Sequence, residues 1–148
     1  MIEQRIDQDL KQAMLDRDTE LVSALRNLKS SLLYYKISIN ARNETLKDQA
    51  VIELLVKEAK KRQESADLFR AGGNLLKSTQ ELNEKKIIQK YLPEMMSKEE
   101  IVKLVDDEIV LVGKDKSKMG LIINAVRQKT NGLAEGATLA EIVKERLT

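Results

Sequence analysis

The sequence predicts an all-α protein, a four-helix N-terminal part followed by a smaller three-helix C-terminal domain, and three observations carry that expectation. Apolar residues recur at helical spacing along the chain, and no stretch sustains the alternation of a strand. The one proline and the clustered glycines punctuate the chain between periodic runs. Charged residues make up 34% and hydrophobic ones 42%, the balance of helices with salted outer faces over a real core. Aromatics are only 3% and tryptophan is absent, so Leu, Ile, Val, Ala and Met must fill that core. A chain of 148 residues suits one domain, or one domain with a small companion. The expected division is an N-terminal helical domain over 1–95 and a small three-helix domain over 96–148. The second part is marginal as an isolated core and is expected to lean on the first or on a partner.

In order, Ile2, Ile6, Leu10 and Met14 recur every four residues and form the stripe of a first helix. A second helix starts near Thr19, with Leu21, Leu25, Leu28, Leu32 and Tyr35 on its buried face. "NARNET" reads as a loop, because asparagine favours turns over helix interiors. Thr45 and Asp48 have capping-box spacing for a third helix through Val51, Leu55, Ala59, Ala66 and Phe69. Gly72-Gly73 stops it. A fourth helix carries Leu75, Leu76, Leu82, Ile87, Ile88 and Tyr91 and ends before Pro93, whose ring disfavours a helical Leu92. Ser97 with Glu100 forms a capping box, and Met96 and Ile101 have hydrophobic-staple spacing. That fifth helix bears Ile101, Leu104, Val105, Ile109 and Val112 and breaks at Gly113. Ser117 is placed to cap a sixth, which Asn131-Gly132 terminates. Thr138 and Glu141 make another capping box for a last helix with Leu139, Ile142, Val143 and Leu147.

Composition excludes much chemistry. Without cysteine there is no disulfide, thiolate metal site or thiol nucleophile. Without histidine the commonest general base and metal ligand are gone. The consecutive acids Asp106-Asp107-Glu108 and Glu99-Glu100 point about 100° apart around a helix and do not converge as a dyad. Gly132 and Gly136 lack the strand and Lys-Ser/Thr ending of a nucleotide-binding loop, and Gly113 with Gly120 makes no dinucleotide fingerprint. No catalytic residue, metal ligand or cofactor is therefore assigned. No apolar run approaches the roughly 20 residues that cross a bilayer. The start, "MIEQRIDQDL", has charges where a leader would be apolar, so a cytoplasmic protein off the membrane is expected.

Two basic clusters remain. Lys57, Lys60, Lys61 and Arg62 share one helix, where a Glu58–Arg62 pair at i,i+4 suggests ordinary surface salting. Lys114, Lys116, Lys118, Arg127 and Lys129 are opposed only by Asp115. A basic loop entering a helix N-terminus offers charges and free N–H groups to phosphate. The alternative is a solvated loop.

"YLPEMMSKEEIVKLV" (91–105) resembles the Tyr-Leu-Pro, capping serine and acidic-helix block of the YqeY-like family. "KMGLIINAVRQKTNGLAEGATLAEIVKERL" resembles its closing block, and "LRNLKSSL" (25–32) and "KKRQESADLFRAGG" (60–73) fit its N-terminal helices. The family is related to the tail domain of the GatB subunit of glutamine-dependent tRNA amidotransferase, a helical module that lies on transfer RNA. The resemblance implies a non-catalytic, tRNA-associated role, with a tRNA-aminoacylation or amidotransferase complex as a partner. Carried over, the RNA-facing candidates are Gly120 at its helix start and the turn from Lys129 through Gly132 to Gly136, beside Lys114, Lys116, Lys118 and Arg127. Leu121 and Asn131 stand where the family has lysines, Asn124 where glycine is common, and Glu135 where aspartate is common. Either the remaining cations compensate, or this member keeps the fold and takes another partner.

Three functions follow. A tRNA-binding accessory protein with about four phosphate contacts predicts a log–log salt slope of roughly −3 to −4. A helical protein–protein adaptor would use an apolar groove with Met95, Met96 and Met119. A carbon–nitrogen ligase with glutamine as amido-N-donor would need glutaminase and nucleotide-activating centres, for which the sequence has no residue set.

Overall fold

The computed structural model describes all 148 residues and contains seven α-helices, one short 3-10 turn and no strand. The helices are α1 (Ile2–Leu15), α2 (Thr19–Ser38), α3 (Asp48–Ala71), α4 (Leu75–Gln89), α5 (Lys98–Val112), α6 (Met119–Thr130) and α7 (Gly136–Leu147). The chain falls into two compact units, Met1–Leu92 and Pro93–Thr148. No helix is long and apolar enough to cross a membrane.

In the first unit α1 buries Ile2, Ile6, Leu10 and Ala13. A strict spacing of four overruns the 3.6-residue turn, so Ala13 takes the place expected for Met14, which is half exposed. Asp18 caps α2 by accepting from the Leu21 N–H at 3.2 Å. That helix buries Ala24, Leu25, Leu28 and Leu32 and leaves Leu21 and Tyr35 half-buried. The following loop is lashed to α1. Glu3 accepts from the Leu46 N–H at 2.8 Å, and Asp48 accepts from the Ile2 N–H at 3.0 Å. This overturns the expected Thr45–Asp48 capping box. The α3 N-cap is Lys47, whose ammonium has no acceptor to offer the helix start, and the Asp48 carboxylate just inside the helix is taken by α1. The Ile2 N–H holds that carboxyl below its ordinary value.

α3 and α4 form a hairpin around Gly72-Gly73-Asn74. Gly73 is left-handed at φ 79°, and the Asn74 N–H returns to the Phe69 carbonyl at 2.8 Å. Asn74 then caps α4 by accepting from the Lys77 N–H at 3.1 Å. Polar contacts cross the hairpin beside the buried Ala66 and Ile88. The Ser78 hydroxyl donates to the buried Ala66 carbonyl at 2.8 Å, and Lys85 donates to Gln63 at 2.8 Å. Arg62 lies 3.3 Å from both Glu81 and Glu84, so the expected Glu58–Arg62 pair does not form; Glu58 meets Lys61 instead at 3.4 Å. Leu75 and Leu76 of α4 are exposed, whereas Ile88 is buried. Just past α4, the buried Tyr91 donates its phenol to Asp9 at 2.5 Å, and the Arg5 guanidinium sits 5.3 Å from its ring centre.

In the second unit α5 opens with both arms of the Ser97–Glu100 capping box, at 3.2 and 3.0 Å. Met96 packs on the core that holds Ile101, as the staple spacing predicts. Ile101, Val105, Ile122, Val126, Leu139 and Val143 are almost fully buried there. Each such side chain contributes about 1.5–3 kcal/mol relative to an exposed one. Gly113 ends α5 at φ 95°, and Asn131 and Gly132 end α6 at φ 51° and 83°. The last helix begins at Gly136, two residues before Thr138. Thr138 therefore caps nothing, and its hydroxyl donates to Glu135 at 2.9 Å instead.

Candidate nucleic-acid interface

The basic segment is built on the exit of α5. The last carbonyls of a helix have no intrahelical donor. The Lys118 ammonium supplies one, donating to the Val112 carbonyl at 2.5 Å. Between them Asp115 accepts from the Ser117 N–H at 2.9 Å and caps the 3-10 turn Lys116–Lys118. That bond holds the Asp115 carboxyl below the usual carboxylate range. The expected role of Ser117 as a cap is thereby corrected: it is the capped residue. The N-cap of α6 is Lys118, without a side-chain cap, and no acid stands in the first turn. The positive end of α6 therefore meets the basic turn unneutralised.

The other candidates divide sharply. Lys129 donates to Glu108 at 2.8 Å, and this carboxylate retains only 10% side-chain exposure. Arg127 is exposed and forms no ion pair; its guanidinium lies 3.8 Å from where a Cβ on Gly136 would stand. Lys114 and Lys116 are likewise exposed without a carboxylate partner. Nothing lies within 4 Å of a Cβ placed on Gly120, so internal packing does not require glycine there. Gly132 is buried and left-handed, which fits it to shaping the α6–α7 turn. Five cations close in sequence thus reduce to three free ones: Lys114, Lys116 and Arg127. Acids slightly outnumber bases within Pro93–Thr148, so the positive potential is confined to this segment.

The acids nearby diverge, as consecutive helix positions should. Asp106 takes Arg146 through two bonds of 2.7 Å, while Glu108 takes Lys129. No group of three or more carboxylates is gathered as a metal site. Met96 and Met119, named for an adaptor groove, pack on the core of the second unit. Sequence spacing missed the Lys129–Glu108 and Lys118–Val112 contacts. The first joins residues 21 apart on different helices, and local periodicity carries no signal for it.

No curated protein matches the chain. A family model described as Yqey-like protein matches residues 3–147, nearly the whole length, and the chain belongs to the YqeY-like family.

Proposed function

We propose that this YqeY-like chain is a non-catalytic tRNA-binding accessory protein, with an N-terminal four-helix domain over 1–95 and a GatB-tail-like three-helix domain over 96–148. The observation that carries the reading is the trio Lys114, Lys116 and Arg127, exposed and unpaired, the two lysines ahead of the uncapped start of α6 and Arg127 in its last turn beside Gly136. Phosphates would meet the two lysines as point charges and Arg127 as a planar fork. Gly120 leaves room for a phosphate to approach the helix start. Base stacking has little part, since the chain holds one phenylalanine and three tyrosines. Chemistry is left to a partner complex of tRNA aminoacylation or amidation in the cytoplasm, because thiol and imidazole are both missing from the sequence.

A titration of transfer RNA at several salt concentrations tests this. Three free cations give an expected log–log slope of about −2 to −3. The triple variant K114A/K116A/R127A should flatten the slope and weaken binding to every transfer RNA alike. Weak binding that ignores salt, or a triple variant that binds like the wild type, rejects the proposal.

A further inference from the structure

The turn between α1 and α2 holds a residue that its backbone does not favour. After α1 the Arg17 N–H donates to the Met14 carbonyl at 3.3 Å, and the Asp18 N–H donates to the Ala13 carbonyl at 3.0 Å. This bonding closes a helix on a left-handed residue, ordinarily glycine, and Arg17 takes that place at φ 54°. The other left-handed positions belong to glycines or to Asn40 and Asn131, whose short polar side chains tolerate such backbone. An arginine gains no such local support. Strain held where glycine would fit points to a use for the side chain.

Arg17 lines a cleft of about 650 Å³ between the end of α1 and one face of α2. Arg26 lines it from the helix, seven residues or about 10 Å beyond Thr19. Both arginines are exposed, and neither forms an ion pair. Thr19, Ser23 and Asn27 bring hydroxyls and an amide at the spacing of one helix face, and Met14 with Val22 adds an apolar wall. No acid lines the cleft, Glu20 of the first turn of α2 included. The carboxylates flanking Arg17 are engaged: Asp16 accepts from Gln12 at 2.9 Å, and Asp18 caps α2. The helix start is therefore closed, and the two guanidiniums supply the positive charge.

We infer that this cleft binds a phosphate group. One guanidinium in the turn and another on the helix call for an anion with more oxygens than a single fork consumes. A carboxylate is filled by one bidentate arginine, whereas phosphate keeps oxygens for the second arginine and for the hydroxyls. The cleft belongs to the first unit and does not rest on RNA binding by the segment around α6.

Inorganic phosphate titrated at constant ionic strength, read through the amide chemical shifts of residues 17–27, tests the inference. The shifts should saturate with phosphate and stay small with acetate. R26A should weaken phosphate binding by about tenfold. R17G is the sharper variant. It should lose phosphate by a similar factor and yet melt about 1–4 °C higher, since glycine relieves the left-handed backbone. An R17G chain that melts no higher than the wild type shows the arginine serving the fold, and overturns the inference. So do shifts that acetate reproduces, or phosphate binding that survives both substitutions. Transfer RNA titrated against R17G/R26A then names the source of the phosphate. A salt slope lower by about two marks the RNA backbone, and an unchanged slope marks a free phosphorylated ligand.

Discussion

What a lysine does in this chain depends on what stands within reach of its ammonium. Lys129 reaches the nearly buried Glu108, whereas Lys114 and Lys116 reach water. Removing Lys129 leaves a desolvated carboxylate alone, so K129A should cost about 1–2 kcal/mol in urea unfolding, the lysine being half exposed. K114A and K116A should leave stability within about 0.5 kcal/mol, yet each should reduce the RNA salt slope by about one. Asp48 is another residue whose neighbour sets its behaviour. Its carboxyl is held low chiefly by the Ile2 N–H, so the folded state favours the charged form. The resulting stability is present above the unfolded value near 3.8 and is lost as pH falls through the lower folded value. D48A should therefore melt about 1–3 °C below the wild type at neutral pH, by loss of about 0.5 kcal/mol once solvent screening of this half-exposed carboxylate is counted, and the gap should narrow in acid.

Helix ends show which parts of an element are written locally. Gly113 closes α5 at φ 95° and ψ 152°, backbone that L side chains avoid. Gly120 sits in the first turn of α6 with open space where a Cβ would go. G113A should then destabilise by about 1–3 kcal/mol, whereas G120A should stabilise by about 0.5 kcal/mol. If G120A also binds transfer RNA less well, the glycine serves the ligand rather than the fold; thermal melts and RNA titration on the same samples separate the two. Such ends were largely legible in the sequence: Ser97–Glu100, Gly73, Gly113 and Asn131-Gly132 all act as their chemistry dictates. The starts of α3, α6 and α7 were not. There the carboxylates of Asp48, Asp115 and Glu135 are claimed by contacts that capping spacing does not describe. Burial followed the same rule. The α7 stripe Leu139, Ile142, Val143 and Leu147 is buried as its period demands, while Leu75 and Leu76 at the start of α4 stay exposed. For the basic segment the charges were visible in the sequence, but their availability depends on contacts across helices.

The two compact units differ in size and in how much core each can lose. The second has only residues 93–148, and by ordinary scaling about 3–8 kcal/mol of stability. L139A removes a fully buried side chain at a cost of about 2–5 kcal/mol. Its thermal melt should split in two, the earlier step losing the signal of α5, α6 and α7 with their 15, 12 and 12 residues. A single unchanged transition would mean that the units melt as one. The other unit carries its own gauge of closure. Burial and the Asp9 carboxylate push the Tyr91 phenol well above its ordinary value of 10.0, so the folded chain holds that proton longer than the unfolded chain does. Stability from this phenol is complete below about pH 10 and drains away in stronger base. One component of the phenolate absorbance, that of Tyr91, should accordingly emerge together with alkaline loss of helix, and Y91F should remove that component while Tyr34 and Tyr35 still contribute.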